Sequence, residues 1–308
     1  MKVFPPHPLA FKYCTGKGIE LGAALHNPFG LPDCPNVAPS DGVRFLHPRD
    51  LEDYQKYVNE QLHYTQHVAR VDEVGDFQHI PFDAASLDYV ISSHVIEHEP
   101  NPVAAFVESA RVLKEGGIFF CIFPKRTAEM QFDIFLPLTS LDELIAAYRE
   151  ARTIESYPAP SHGWREHYYR YSLQSMLRLI NWINREKLAT FCVEAVEETD
   201  GKVGNGHTVV LRKSSPEAMP DADHAHIVET CIREDRYEAG LQAAKNALSY
   251  DFFQVPILYA AALLAFRTDH VPEAKEFYRQ CLLLDPECAA RRREFAELFG
   301  EIYMNPLR

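Results

Sequence analysis

Between Ser161 and Tyr171 the chain reads S-H-G-W-R-E-H-Y-Y-R-Y: three tyrosines, a tryptophan, two histidines and two arginines in eleven residues. Imidazole titrates near neutral pH, so His162 or His167 could take a proton from a hydroxyl. Apolar rings among convergent polar groups would wall a pocket for a sugar or another hydroxylated ligand, or else cover a sheet edge as plain surface aromatics. A second set of groups stands upstream. Glu20 and Gly22 close a short apolar run, Asp76 and Phe77 precede Ile80-Pro81-Phe82, and Ser93, His94 and the pair Glu97-His98 end the next apolar run. No acidic pair, metal-ligand spacing or Gly-x-Ser-x-Gly element is evident. Gly-x-Gly-x-x-Gly opening a helix is absent too, which argues against a nicotinamide-dependent dehydrogenase. Seven cysteines are scattered with no C-x-x-C pair, which points to reduced, mostly buried thiols of a cytoplasmic protein and away from a zinc site.

Elements that alternate along the chain must position these groups. Gly18 to Gly22, Val43 to Leu46 and Val68 to Val71 read as short strands. Leu87 to Ser93 and Ile118 to Phe123 are apolar on both faces, as buried parallel strands are. Between them Pro102 to Lys114 carries a helical period that starts at Asn101 and is ended by Gly116-Gly117. Lys125 to Arg170 is a long insertion of the kind that often carries function. Ser172 to Lys187 is a helix through Leu173, Met176, Leu177, Ile180 and Ile183. Thr190 to Val196 and His207 to Arg212 form a closing hairpin, which requires one antiparallel strand at the end of a parallel sheet.

This order resembles a class I S-adenosylmethionine (SAM) dependent methyltransferase. The run E-L-G-A-A-L-H-N-P-F from Glu20 resembles a branch of these enzymes often encoded among sugar-modifying genes. His94 with Glu97-His98, Pro124-Lys125-Arg126, and Phe132-Asp133 with Pro137-Leu138-Thr139 are the downstream counterparts. The resemblance implies a Rossmann-like, seven-stranded, mostly parallel α/β sheet with SAM across the carboxyl ends of its strands and S-adenosylhomocysteine as product. It implies that Glu20 faces the methionyl amino group, that Gly22 and Ala23 let the backbone approach, and that His26 and Asn27 complete the loop. Asp76 and the Phe77 backbone would hold adenine, with Ser93 and His94 beside the methionine part. An acid usually clasps the ribose after the second strand; here His47 stands there, with Asp50 near. Asp133 joins His162 and His167 as a candidate base. Leu136 replaces an expected arginine and the aspartate of the P-D-K-R element is missing, both on the substrate side.

After Arg212 the texture changes. Lys213 to Asp223 is polar, holds two prolines and reads as a linker; the stretch beyond it is purely helical. Gly240, Ala244 and Ala247 align with Ala274, Tyr278 and Cys281 at an offset of 34, resembling tetratricopeptide repeats. The expected domains are therefore 1–213, the methyltransferase, and 221–308, a helical module that either binds a protein partner or merely extends the fold. The formal net charge of −13 argues against a nucleic-acid partner, and no window suits a membrane helix. The expected reaction is O-methylation of a sugar or glycan intermediate. The alternatives are a small natural product or protein side chain as acceptor, and a non-catalytic fold that recruits a partner.

Overall fold

The computed structural model describes residues 7–23, 29–38, 72–125, 136–157, 167–202, 204–215, 224–250 and 252–285. They fall into two units, Met1–Ser214 and Ser215–Arg308. The first holds a seven-stranded sheet of order β3-β2-β1-β4-β5-β7-β6. Its strands are β1 (Gly18–Leu21), β2 (Asn36–Ala38), β3 (Glu73–Val74), β4 (Leu87–Ser93), β5 (Leu113–Pro124), β6 (Phe191–Glu197) and β7 (Gly206–Lys213). β1 to β5 run parallel, and β7 pairs antiparallel with both β5 and β6. This is the mostly parallel sheet with one reversed strand that the closing hairpin demands.

The most legible strands are those with apolar side chains on both faces. All of β1 is buried, and in β5 every residue from Gly117 to Pro124 is. Phe119 meets Phe106 of helix α2 (Pro102–Val112) edge to face at 5.3 Å, and Phe77 at 5.9 Å. Such fully buried rings contribute roughly 1.5–3 kcal/mol each. The Asn101 carboxamide caps α2 by accepting from the Ala104 N–H at 3.1 Å. Helix α1 (Pro8–Tyr13) precedes the sheet, and helix α3 (Leu141–Arg149) starts at a Ser140 cap. Helix α4 (Leu173–Arg185) opens with a Ser172–Ser175 capping box and buries the stripe Leu173, Met176, Leu177, Ile180 and Ile183.

Several expectations shift. The strand beside β1 is Asn36–Ala38, whereas Val43 to Leu46 and Val68 to Val71 lie outside the described residues. Gly116-Gly117 does not end α2. The helix stops at Val112 because Leu113 turns extended to pair with Leu87, and Gly116 sits inside β5 at φ +77°. The insertion from Lys125 to Arg170 carries α3. Its later part is pinned to its earlier part: Thr139 donates its N–H to the Arg170 carbonyl at 3.0 Å, and Arg170 donates to the Thr139 hydroxyl at 2.9 Å.

The second unit contains four described helices, α5 (His224–Arg233), α6 (Tyr237–Tyr250), α7 (Val255–Arg267) and α8 (Val271–Leu284). Its core is small residues around a few large ones: Ala244, Ala247, Ala261, Ala262 and Ala274 with Leu264 and Tyr278. Gly240 belongs to this pattern. A Cβ there would lie 3.0 Å from Cys231 of α5 and 3.1 Å from Leu264 of α7, so three helices close on that one position. Among the described residues no helix is long and apolar enough to cross a membrane.

Candidate cofactor and acceptor site

Leu21, Gly22, Val37, Asp76, Val95 and Glu99 line one cleft, with Gly75 and Phe77 beside them, beyond the carboxyl ends of β1, β2 and β4. β1 must stop at Gly22, whose φ of +67° favours glycine. The Gly22 N–H donates to the Val37 carbonyl at 2.8 Å, and a Cβ would sit 2.7 Å from Cγ2 of Val95. Ala23 donates its N–H to Oδ1 of Asn36 at 3.1 Å, so the turn is tied to β2.

Glu20 is 4% exposed and accepts from the Phe29 N–H at 3.0 Å. Burial pushes its carboxyl up to about 7, against the pull of Lys202 and of that N–H. Lys202 comes from the turn between β6 and β7 and lies 3.8 Å from the centre of the Phe29 ring. Burial lowers its ammonium, against Glu20 and Asp200. Both partners are thus pushed toward their neutral forms, and the carboxylate lacks a cation strong enough to hold it charged.

The Asp76 carboxylate accepts from the Gln78 N–H at 2.9 Å and meets the His79 ring at 3.2 Å. Its loop is anchored from α2. Glu108 accepts from the Ile80 N–H at 2.9 Å, and Arg111 donates to the carbonyls of Ile80 and Phe82, each at 3.0 Å. The Phe77 ring is core, 2% exposed, so only its backbone is offered to a ligand.

At the end of β4, Ser93 is half-buried and His94 takes φ +56°. That turn leads into a short 3-10 segment, Ile96–His98. Glu97 is buried there, 1% exposed. His94 Nδ1 stands 3.6 Å from its Oε1, and His167 Nε2 stands 4.0 Å away. The His98 and His167 rings meet edge to face at 4.7 Å. Burial opposes the charge of Glu97, yet His94, His98 and His167 outweigh it and hold the carboxyl below its ordinary range. Burial likewise opposes a charged His94, and Glu97 and Asp200 outweigh it.

The aromatic wall is corrected in part. Tyr169 and Tyr171 are 0% and 1% exposed. The Tyr169 hydroxyl donates to the Pro100 carbonyl at 2.9 Å, and the Tyr171 ring lies against Phe123 at 5.9 Å. These rings fill the space behind β5 rather than face a ligand; His167 and Tyr168 remain partly exposed. His26, Asn27, His47, Asp133 and His162 lie outside the described residues. Lys202, Asn36 and Glu99 escape a reading of the sequence, because nothing local marks them.

Residues 50–121 match the family model of a methyltransferase domain. The chain carries a methyltransferase domain. A methyltransferase domain implies S-adenosylmethionine as the methyl donor, and the residues present fit it. The cleft offers a cradle at Gly22 that a side chain would fill and an anchored Asp76, and Glu20, which precedes the lining residue Leu21, is a buried carboxylate short of a cation. No match was found among curated proteins. The chain is similar to solved SAM-dependent methyltransferases from Thermotoga maritima (15% identity, TM-score 0.34, covering 67% of this chain and 92% of that one) and Aquifex aeolicus (12%, 0.36, 68% and 90%). A third similar structure is from Methanosarcina mazei (12%, 0.37, 68% and 98%).

Proposed function

We propose that this methyltransferase methylates a hydroxyl oxygen of a sugar or glycan intermediate. The observation that carries the reading is the gathering of His94, His98 and His167 on Glu97, between Val95 and Glu99 of the cofactor cleft. Glu20 would hold the methionyl ammonium, Gly22 and Ala23 would give the backbone approach, and Asp76 with the Phe77 N–H would hold adenine. Ser93 and His94 would flank the methionine part. Bound SAM supplies a methyl group already activated on sulfur, so the chain has to align the acceptor and remove its proton. His167 would take that proton as the oxygen attacks, with Glu97 steadying the imidazolium; His162 and Asp133 are the other candidates.

Methyl transfer from labelled SAM to nucleotide sugars, free glycans and small phenols tests this. Label is expected on oxygen, with His167→Ala lowering turnover about a hundredfold and leaving cofactor affinity unchanged. His162→Ala and Asp133→Asn belong in the same series. Label on amines or thiols alone would overturn the oxygen assignment.

We read α5 to α8 as two tetratricopeptide-like hairpins that dock a protein partner. Tyr237 and Val271, the first residues of α6 and α8, differ by 34 (271 − 237), and Ala274 and Tyr278 are buried as that pattern requires. A chain ended at Lys213 is expected to fold and to keep its SAM affinity within about twofold, since every described cleft residue precedes that point. Calorimetric titration checks it, and a folded but non-binding truncation would make the tail part of the site. The six described cysteines are free, which supports a reducing, cytoplasmic setting.

A further inference from the structure

We propose that Glu97, His98 and His167 bind a divalent first-row metal ion. One ligand atom from each lies within 4.8 Å of the others. Two ligand atoms on one such ion, at about 2.0–2.2 Å each, are about 3.4 Å apart in a tetrahedral site and at most about 4.4 Å. The 4.0 Å between His167 Nε2 and Glu97 Oε1 already falls inside that limit. The other separations, within 4.8 Å, would have to close by at most about 0.4 Å.

A second observation points to a ligand. Glu97 is 1% exposed, yet neither of its oxygens accepts a hydrogen bond among the described residues. A buried carboxylate without hydrogen bonds is costly unless another charge meets it. Of the two imidazoles proposed as ligands, His167 stops 4.0 Å short of the Glu97 carboxylate, a spacing that an ion between them would close.

The frame is also preset. Tyr168 and Tyr169 donate their N–H groups to the Glu97 carbonyl at 2.9 and 3.3 Å, which fixes the backbone of His167 against that of Glu97. His94 Nδ1 lies 3.6 Å from the same Oε1 and acts as a positioning residue for the carboxylate. Two imidazoles and one carboxylate suit zinc, manganese or iron(II), and three protein ligands leave a position open, as catalytic sites do. His98 and His167 are both partly exposed, so the open position can be reached.

This deepens the hydroxyl reading and, for its role though not for binding, rests on it. The acceptor hydroxyl would take the open position and become more acidic there. Its proton leaves to solvent, the oxygen–carbon bond forms, and the carbon–sulfur bond breaks with its electron pair left on sulfur. His167 then holds the ion instead of taking the proton itself.

The full chain, stripped with a chelator and dialysed against Zn²⁺ alone or Mn²⁺ alone, is expected to retain one ion per chain by mass spectrometry. His98→Ala and His167→Ala should each weaken that binding at least tenfold, while His270→Ala in the helical unit leaves it unchanged. Should either variant misfold by circular dichroism, His98→Gln, at a partly exposed position, provides the same comparison. Retention of no ion, or equal retention by the folded variants, overturns the site. Retention of an ion by a protein that methylates no hydroxyl overturns only the acceptor reading. Loss of turnover in His167→Ala when the wild type binds no ion leaves His167 as the base and removes the metal.

Discussion

Gly22→Val is expected to abolish SAM binding while the domain stays folded. At φ +67° a β-branched residue is strained by roughly 1–2 kcal/mol, and its Cβ would start 2.7 Å from Val95 Cγ2. The branch would also project into the cleft that Gly22 and Val95 line together. Titration calorimetry should give no heat at millimolar SAM. Wild type at a hundred times its dissociation constant should gain about 2.7 kcal/mol of stability, a gain the variant should lack. A variant that unfolds at lower temperature yet still responds to SAM would mean that Gly22 serves the turn and not the ligand.

Glu20→Gln should make the ligand-free protein more stable and the complex weaker. The folded pKa of Glu20 is raised from 4.5 to about 7, so the native state holds this proton more tightly than the unfolded chain does. Its contribution favours folding fully below pH 4.5 and is lost as pH rises through 7; above 7 the native state carries the whole penalty of a buried charge. Glutamine keeps the acceptor for Phe29 and removes the charge, so at pH 8 the variant should gain roughly 1–3 kcal/mol in denaturant unfolding. SAM affinity should fall about tenfold to a hundredfold, the worth of a charged hydrogen bond. In the wild type, binding below pH 7 must expel the proton, so affinity should climb with pH up to about 7 and then level. Titration in buffers of different ionisation heat detects that proton. An equal slope in Glu20→Gln would assign it to another group.

How much the sequence discloses depends on length and burial. β4, β5 and α4 announce themselves because long apolar runs or stripes are unambiguous. β2 and β3 are three and two residues long, too short to show any period, and more apolar runs further along the chain draw the eye instead. Asp76 and Glu97-His98 are visible as residue types beside a strand. Their surroundings are not, since His167 joins Glu97, and Lys202 joins Glu20, only through folding. Tyr169 and Tyr171 resemble pocket lining because a sequence shows that a ring is present but not which way it points.

The place of β5 in the sheet bears on how the protein is made. β5 lies between β4, which precedes it, and β7, whose pairing joins Ile118–Phe123 to residues 207–212. A ribosome adding about 5–20 residues per second needs on the order of ten seconds to go from one to the other. Throughout that interval I-F-F-C-I-F, uncharged and without proline, can bond to β4 on one edge and has nothing on the other. Such an edge is a template for other nascent chains. Slower initiation or a holding chaperone should therefore raise the soluble yield more than any stabilising change in the finished protein, and chains released before Gly206 should be recovered as aggregate.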